Sequence, residues 1–202
     1  MMTLGLTGPT GAGKGAVSGL FAELYDIPSI DTDRVYHDLL IPPSACLDEL
    51  VAVFGMEILA PDGTLDRPTL SRIVFSDASR KKQNQLNHIT HKYVLDRTRE
   101  MIAEYARTER RAVLVDAPLL YESGFDAECD AVIAVLAPWD VRKARIISRD
   151  QLSEERATAR LNMQKTDEFY KEKTNYILSN DGDLSSLRSQ VAALASLLGV
   201  NA

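Results

Sequence analysis

Cysteine is scarce in this chain. Its two thiols, Cys46 and Cys129, lie far apart and neither sits in a CxxC pair, which argues against a disulfide framework and against a zinc site built on close thiolates. Two small buried thiols are expected instead. Long apolar runs are also missing, since none approaches the roughly 18 residues of a membrane span. Met1-Met2-Thr3 leads straight into strand-like sequence, leaving no room for the charged and apolar regions of a secretory leader. The expectation is a reduced, cytoplasmic setting with no membrane partner. Positive charge is in deficit too: the formal charge is -6 and the pI is near 5.1. A surface that wraps nucleic acid needs a cationic footprint, so no nucleic-acid partner is expected, and any anion must be met by local Lys and Arg. Oligomeric state leaves no mark in the sequence.

What is present is ordinary globular composition over 202 residues, enough for one α/β domain with a modest insertion. Strand-like runs at Leu4–Thr7, Ile27–Asp31, Ala112–Asp116, Ala131–Leu136 and Tyr176–Ser179 alternate with helical spacing. That alternation predicts a parallel sheet covered by helices. The third and fourth runs are nearly continuous in apolar residues, as buried central strands are. Between Asp33 and Arg111 the strand pattern gives way to helical spacing at Leu47, Leu50, Val51 and Phe54, then Leu70, Ile73 and Val74, then Leu86, Ile89 and Tyr93. This stretch reads as a helical insertion over the sheet's C-terminal edge, where open α/β sheets bind ligands.

Residues 8 to 15 read GPTGAGKG, after a strand-like run and before the helical pattern Val17, Leu20, Phe21, Leu24. Strand, glycine-rich turn with lysine, then helix is the order of a phosphate cradle. Gly8, Gly11 and Gly13 let backbone N–H groups turn inward, the helix N-terminus adds its positive dipole end, and Lys14 supplies charge for the terminal phosphates. A nucleoside triphosphate is the expected ligand. Gly15 stands where a Ser or Thr hydroxyl normally meets Mg²⁺ in GxxxxGK[ST], and Ala16 follows where a second hydroxyl is common.

Three carboxylates end strands near that loop. Asp31 and Asp33 flank Thr32 at the end of the second strand, and Asp116 closes the apolar run Val113-Leu114-Val115. In phosphoryl transfer such groups orient the acceptor hydroxyl, take its proton, or hold a metal directly or through water. Asp also ends strands and caps helices for purely local reasons. His88 and His91 share a helical face without a third ligand nearby in sequence, so a zinc site is not expected. From Asp140 to Lys165 the chain is helical and rich in Arg and Lys, including Arg145, Arg149 and Arg160. Such a helical pair can close over a triphosphate.

Taken in order, these pieces resemble the dephospho-CoA kinase family from Leu4 to about Gly182. The resemblance rests on Leu6-Thr7-Gly8, Asp31-Thr32-Asp33, Phe54-Gly55, Gly63-Thr64-Leu65-Asp66-Arg67 and Ile89-Thr90-His91. It continues through Asp116-Ala117-Pro118-Leu119-Leu120-Tyr121-Glu122, Arg145, Arg149-Asp150, Arg160, Gln164 and Asn180-Asp181-Gly182. It implies a P-loop NTPase-like three-layer α/β/α fold with a parallel five-stranded sheet, a helical substrate-binding insertion and a helical lid. Residues 1–202 would form a single kinase domain, with its core at 1–33, 111–139 and 166–202, its insertion at 34–110 and its lid at 140–165. The implied reaction moves the γ-phosphate of ATP to the ribose 3′-hydroxyl of dephospho-CoA, giving CoA and ADP with Mg²⁺ as cofactor.

The resemblance also distributes roles. Asp33 would be the base, with Asp31 as runner-up. Lys14, Arg145 and Arg149 would meet transferring charge. Gly8, Gly11, Ala12, Gly13, Gly15 and Ala16 would hold phosphates, and the region of Asn180 would approach adenine. Thr7, Arg67, His91, Pro118, Leu119, Leu120 and Glu122 would shape the acceptor pocket, although Leu119 and Leu120 read equally well as core. With no hydroxyl at Gly15, metal binding would lean on Asp31, Asp33 and Asp116, partly through water. Two other readings compete: a nucleoside monophosphate or other small-molecule kinase on the same core, and a nucleotide-binding regulator without phosphoryl transfer.

Overall fold

Five short apolar segments pair in parallel in the computed structural model, which describes residues 1–76 and 79–201. They are β1 (Met2–Thr7), β2 (Ser29–Asp31), β3 (Ala112–Asp116), β4 (Ala131–Leu136) and β5 (Tyr176–Ser179), in the order β2-β3-β1-β4-β5. The strand-like runs of the sequence thus form one sheet, with β1 two residues longer and β2 two residues shorter than the periodicity suggests. Ile27 and Pro28 lead into β2, and the Pro28 carbonyl already accepts from Leu114 N at 2.9 Å.

Nine helices join them among the described residues: α1 (Lys14–Tyr25), α2 (Thr32–Asp38), α3 (Ala45–Phe54), α4 (Arg67–Phe75), α5 (Lys81–Ala106), α6 (Trp139–Asp150), α7 (Glu154–Asn162), α8 (Asp167–Lys173) and α9 (Leu184–Leu197). The chain divides into two compact units, Met1–Asp31 with Ile102–Ala202, and Thr32–Met101.

In the first unit the two faces of β4 show why the sheet is covered on both sides. Ala131, Ile133 and Val135 join Leu4, Leu6, Val17, Phe21, Val191 and Leu194 in a core beneath α1 and α9, while Ala134 and Leu136 point the other way against Tyr170 of α8. Period-two alternation puts apolar side chains on both faces, so each needs a helical layer. Along the outer edge of β5, Gln190 of α9 turns its carboxamide onto the strand: Ser179 N donates to its Oε1 at 2.9 Å and its Nε2 donates to Ser179 O at 2.8 Å.

The charged stretch after β4 is a helical hairpin. Gln151 ends α6 in a left-handed conformation (φ 53°), and Ser153 caps α7 by accepting from Arg156 N. Ile146, Ala157 and Leu161 make a small core within the hairpin.

The second unit has its own core, made by Leu40, Cys46, Leu50, Phe54, Ile58, Leu70, Val74 and Ile89. The Gly63-to-Arg67 string is explained locally. Asp62 accepts from Thr64 N at 3.0 Å in a tight turn, Leu59 and Leu65 form an antiparallel bridge, and Asp66 caps α4 by accepting from Thr69 N at 3.1 Å. That cap sets Arg67 at the first position of the helix.

Candidate functional site

β1 lies between β3 and β4 although the chain visits β2 first. The crevice outside the C-terminal ends of β1 and β3 is therefore a topological switch point, where ligands bind in open α/β sheets. The loop after Thr7 occupies it. Gly8 turns with φ 138°, and a Cβ there would sit 2.3 Å from the Val135 carbonyl oxygen; at Gly13, φ is 100° and a Cβ would sit 2.0 Å from Asn180 Nδ2. Neither position can hold a side chain. The loop runs into the N-terminus of α1, whose first N–H groups have no intrahelical acceptor.

Beside the loop is a cavity of about 720 Å³, bounded by loop residues between Thr10 and Ala16, by Asp116, and by Arg145, Ser148 and Arg149 of α6. Lys14 Nζ lies 3.9 Å from Asp116 Oδ1, each side chain mostly buried. Asp116 is in register with Asp31 on the neighbouring strand, so both carboxylates face the same side of the sheet's C-terminal edge. Asp33 follows Asp31 by two residues, in the first turn of α2.

Arg149 and Arg145 differ in how they are held. Arg149 makes a bidentate pair with Asp150, Nε to Oδ1 at 2.7 Å and Nη2 to Oδ2 at 2.9 Å, and Arg160 of α7 joins the same carboxylate at 2.7 Å. The Arg149 hydrogen bonds, aided by Arg160, hold Asp150 below the usual carboxylate range. Arg145 reaches inward: Nη1 is 3.3 Å from both Gly11 O and Ala12 O, and Nη2 is 3.3 Å from Asn180 O and Oδ1.

Several expected contacts fall elsewhere. Asn180 is buried, and its Nδ2 donates to Ala12 O at 2.7 Å, so its side chain is engaged with the loop. Ala12 is fully buried and its N–H donates to Pro9 O at 3.2 Å, which removes that amide from the set that can meet a phosphate. Thr7 is buried, and Leu120 is wholly buried against Gly5 of β1; neither side chain offers a surface to an acceptor, and in the turn after β3 it is Leu119 that faces solvent. Pro118 is half-buried, and Glu122 is exposed and lies 3.7 Å from Lys165 Nζ. Among the described residues no group of three His, Cys, Asp or Glu side chains stands where it could hold a metal ion.

In the second unit, Arg67 binds His37 Nδ1 and its guanidinium carbon lies 5.9 Å from the Tyr36 ring centroid. His91 lies in the first half of α5. Tyr93 and Lys92 of the same helix share Glu49, with Tyr93 OH at 2.8 Å; the Tyr93 hydrogen bond leads in holding that carboxyl below its ordinary value.

Sequence reasoning missed His37 and gave no role to Gln164, whose Oε1 accepts from Thr10 N at 3.2 Å across 154 residues of chain. Nothing local in either segment signals such a contact.

A family model described as dephospho-CoA kinase matches residues 2–186. The chain belongs to the dephospho-CoA kinase family. A curated dephospho-CoA kinase from Moorella thermoacetica is 39% identical over 194 residues, covering 96% of this chain and 90% of that protein. Among solved structures, TT1252 from Thermus thermophilus is 31% identical with a TM-score of 0.79, covering 97% of each chain. The dephospho-CoA kinase from Campylobacter jejuni is 25% identical with a TM-score of 0.71, covering 97% of this chain and 96% of that one. The dephospho-CoA kinase fold thus spans the sheet, the loop and the helical hairpin alike.

Proposed function

We propose that this chain carries out its family's reaction, the ATP-dependent phosphorylation of dephospho-CoA to CoA, with the cradle around Lys14 as its phosphate site. The observation that carries the reading is the conjunction of that cradle with family membership over residues 2–186. The N–H groups of Gly13, Lys14 and Gly15 at the start of α1 would face the phosphates, and Lys14, held near Asp116, would meet their charge. Arg149, which lines the cavity from α6, would approach from the hairpin at 140–165 acting as a lid, with Arg145 beside it. Asp33 would accept the proton of the ribose 3′-hydroxyl, with Asp31 as the alternative. The helical unit with Arg67 and His91 would take part in acceptor binding, together with Pro118, Leu119 and Glu122. A cytoplasmic setting suits these substrates.

Mg²⁺ fits the residues in one way. Asp31 and Asp116, paired in register at the sheet edge, would hold it through water while the triphosphate supplies direct oxygen ligands, the mode this ion favours. When bound, the ion neutralises phosphate charge.

Phosphoryl transfer to dephospho-CoA and to AMP, assayed side by side, tests the substrate. Robust transfer to dephospho-CoA is expected; transfer only to AMP, or to neither, would defeat the reading. An Asp33→Asn variant should lose about 10²- to 10⁴-fold in kcat while keeping its affinity for ATP.

A further inference from the structure

Asn180 has both ends of its carboxamide committed. Nδ2 donates to Ala12 O at 2.7 Å, and Oδ1 accepts from Arg145 Nη2 at 3.3 Å. The orientation is forced, because a guanidinium only donates and a carbonyl only accepts. The residue is itself anchored: its N–H donates to Leu136 O at 2.7 Å at the end of β5, and it is 7% exposed.

A trans peptide plane holds its C=O and N–H on opposite sides. Ala12 O is drawn toward Asn180 and Arg145, so the N–H of the same plane, which belongs to Gly13, points away from that pair, and Gly13 itself lines the cavity. The preceding plane is handled differently. Gly11 O also meets Arg145 Nη1 at 3.3 Å, but the N–H of that plane, on Ala12, is taken by Pro9 O at 3.2 Å. The clamp therefore has one amide to aim, that of Gly13. Gly13 is where the clash with Asn180 Nδ2 excludes a Cβ, so the amide group and the glycine fit as a pair.

We infer that Asn180 is a positioning residue for phosphate: with Arg145 it presets the Ala12–Gly13 peptide so that Gly13 N–H points at the triphosphate tail, and its side chain does not read the adenine. The inference rests on the proposed phosphate site and assigns it a part that sequence resemblance places at the base. Without the Asn180 amide the Ala12 carbonyl would keep only the longer 3.3 Å contact from Arg145 Nη1, a poor replacement in a buried setting, and the loop would relax into other conformations before binding.

The test separates tail from base. Binding of ATP and of inorganic tripolyphosphate is measured by calorimetry for the wild type, for Asn180→Ala and for the isosteric Asn180→Asp, which removes the donor to Ala12 with least change of shape. Both variants should weaken both ligands by the same factor, about tenfold, and should shift the Gly13 amide resonance in the ligand-free protein. Weaker ATP binding with tripolyphosphate binding intact would place Asn180 at the base and overturn the inference. So would unchanged binding of both ligands, or a Gly13 resonance that stays in place. A wild-type protein that binds neither ligand would instead remove the phosphate site, and the inference with it.

Discussion

The cradle lines a cavity that α6 of the α6–α7 hairpin also lines, and the two are built by opposite means. The cradle is backbone held by buried groups: Gly8 and Gly13 in conformations no other residue suits, Ala12 fully buried, and the carboxamide of Asn180 wedged behind them. Around Asp150 the hairpin, closed elsewhere on its own small core, presents long side chains held by exposed charge, with Arg149 60% and Arg160 47% accessible. A buried polar clamp loses its full worth when one partner goes, whereas exposed ion pairs contribute little individually and re-form in other geometries. The cradle, with Arg145 of α6 pinned to it, is set before the ligand arrives, and the Arg149 and Arg160 side chains can follow it.

The sharpest way to break this contrast is Gly13→Ala. The left-handed conformation costs about 1–3 kcal/mol for a non-glycine residue, and the methyl would push Asn180 aside. A lowered Tm and nucleotide affinity reduced by about 100-fold are expected by thermal denaturation and calorimetry. Arg149→Met should act more gently, lowering kcat/KM by about tenfold with Tm unchanged.

Acid gives a smaller effect, confined to the hairpin. Asp150 has a folded-state pKa depressed chiefly by Arg149, so its contribution is whole above the unfolded carboxylate value near about 3.9 and is lost as pH falls through the lower folded value. The single tryptophan, Trp139, begins α6 with Lys143 Nζ 5.1 Å from its ring centroid. Its fluorescence should stay flat from neutral pH down to about 4 and change below, and Asp150→Asn should shrink that change. Smallest of all is Gly15→Ser, two residues from the most damaging substitution. A Cβ at Gly15 meets nothing within 4 Å, so stability should move by no more than about 0.5 kcal/mol.

Sequence and structure agree where information is local. The strands ending in Thr7, Asp31 and Asp116 announce themselves by apolar runs closing on polar residues, and the glycine spacing of the loop announces its turn. The clamp does not, because Asn180 reaches Ala12 across 168 residues of chain and neither position carries a mark of the other. Leu120 was ambiguous for a related reason: adjacent residues in an irregular segment part between solvent and core, and only packing decides which. The hairpin's charges were visible in composition, but the sharing of Asp150 between Arg149 and Arg160 depends on how α7 folds back on α6.

Gln190 has a consequence for the sheet's open side. Asn180 N bonds inward to Leu136, so by alternation Ile177 and Ser179 are the residues of β5 whose amide and carbonyl look outward. With the Ser179 pair occupied by a glutamine side chain, a stray strand approaching in a crowded solution finds a single rung at Ile177, too little to start a ladder. The helix that closes the core also blunts this edge of the sheet.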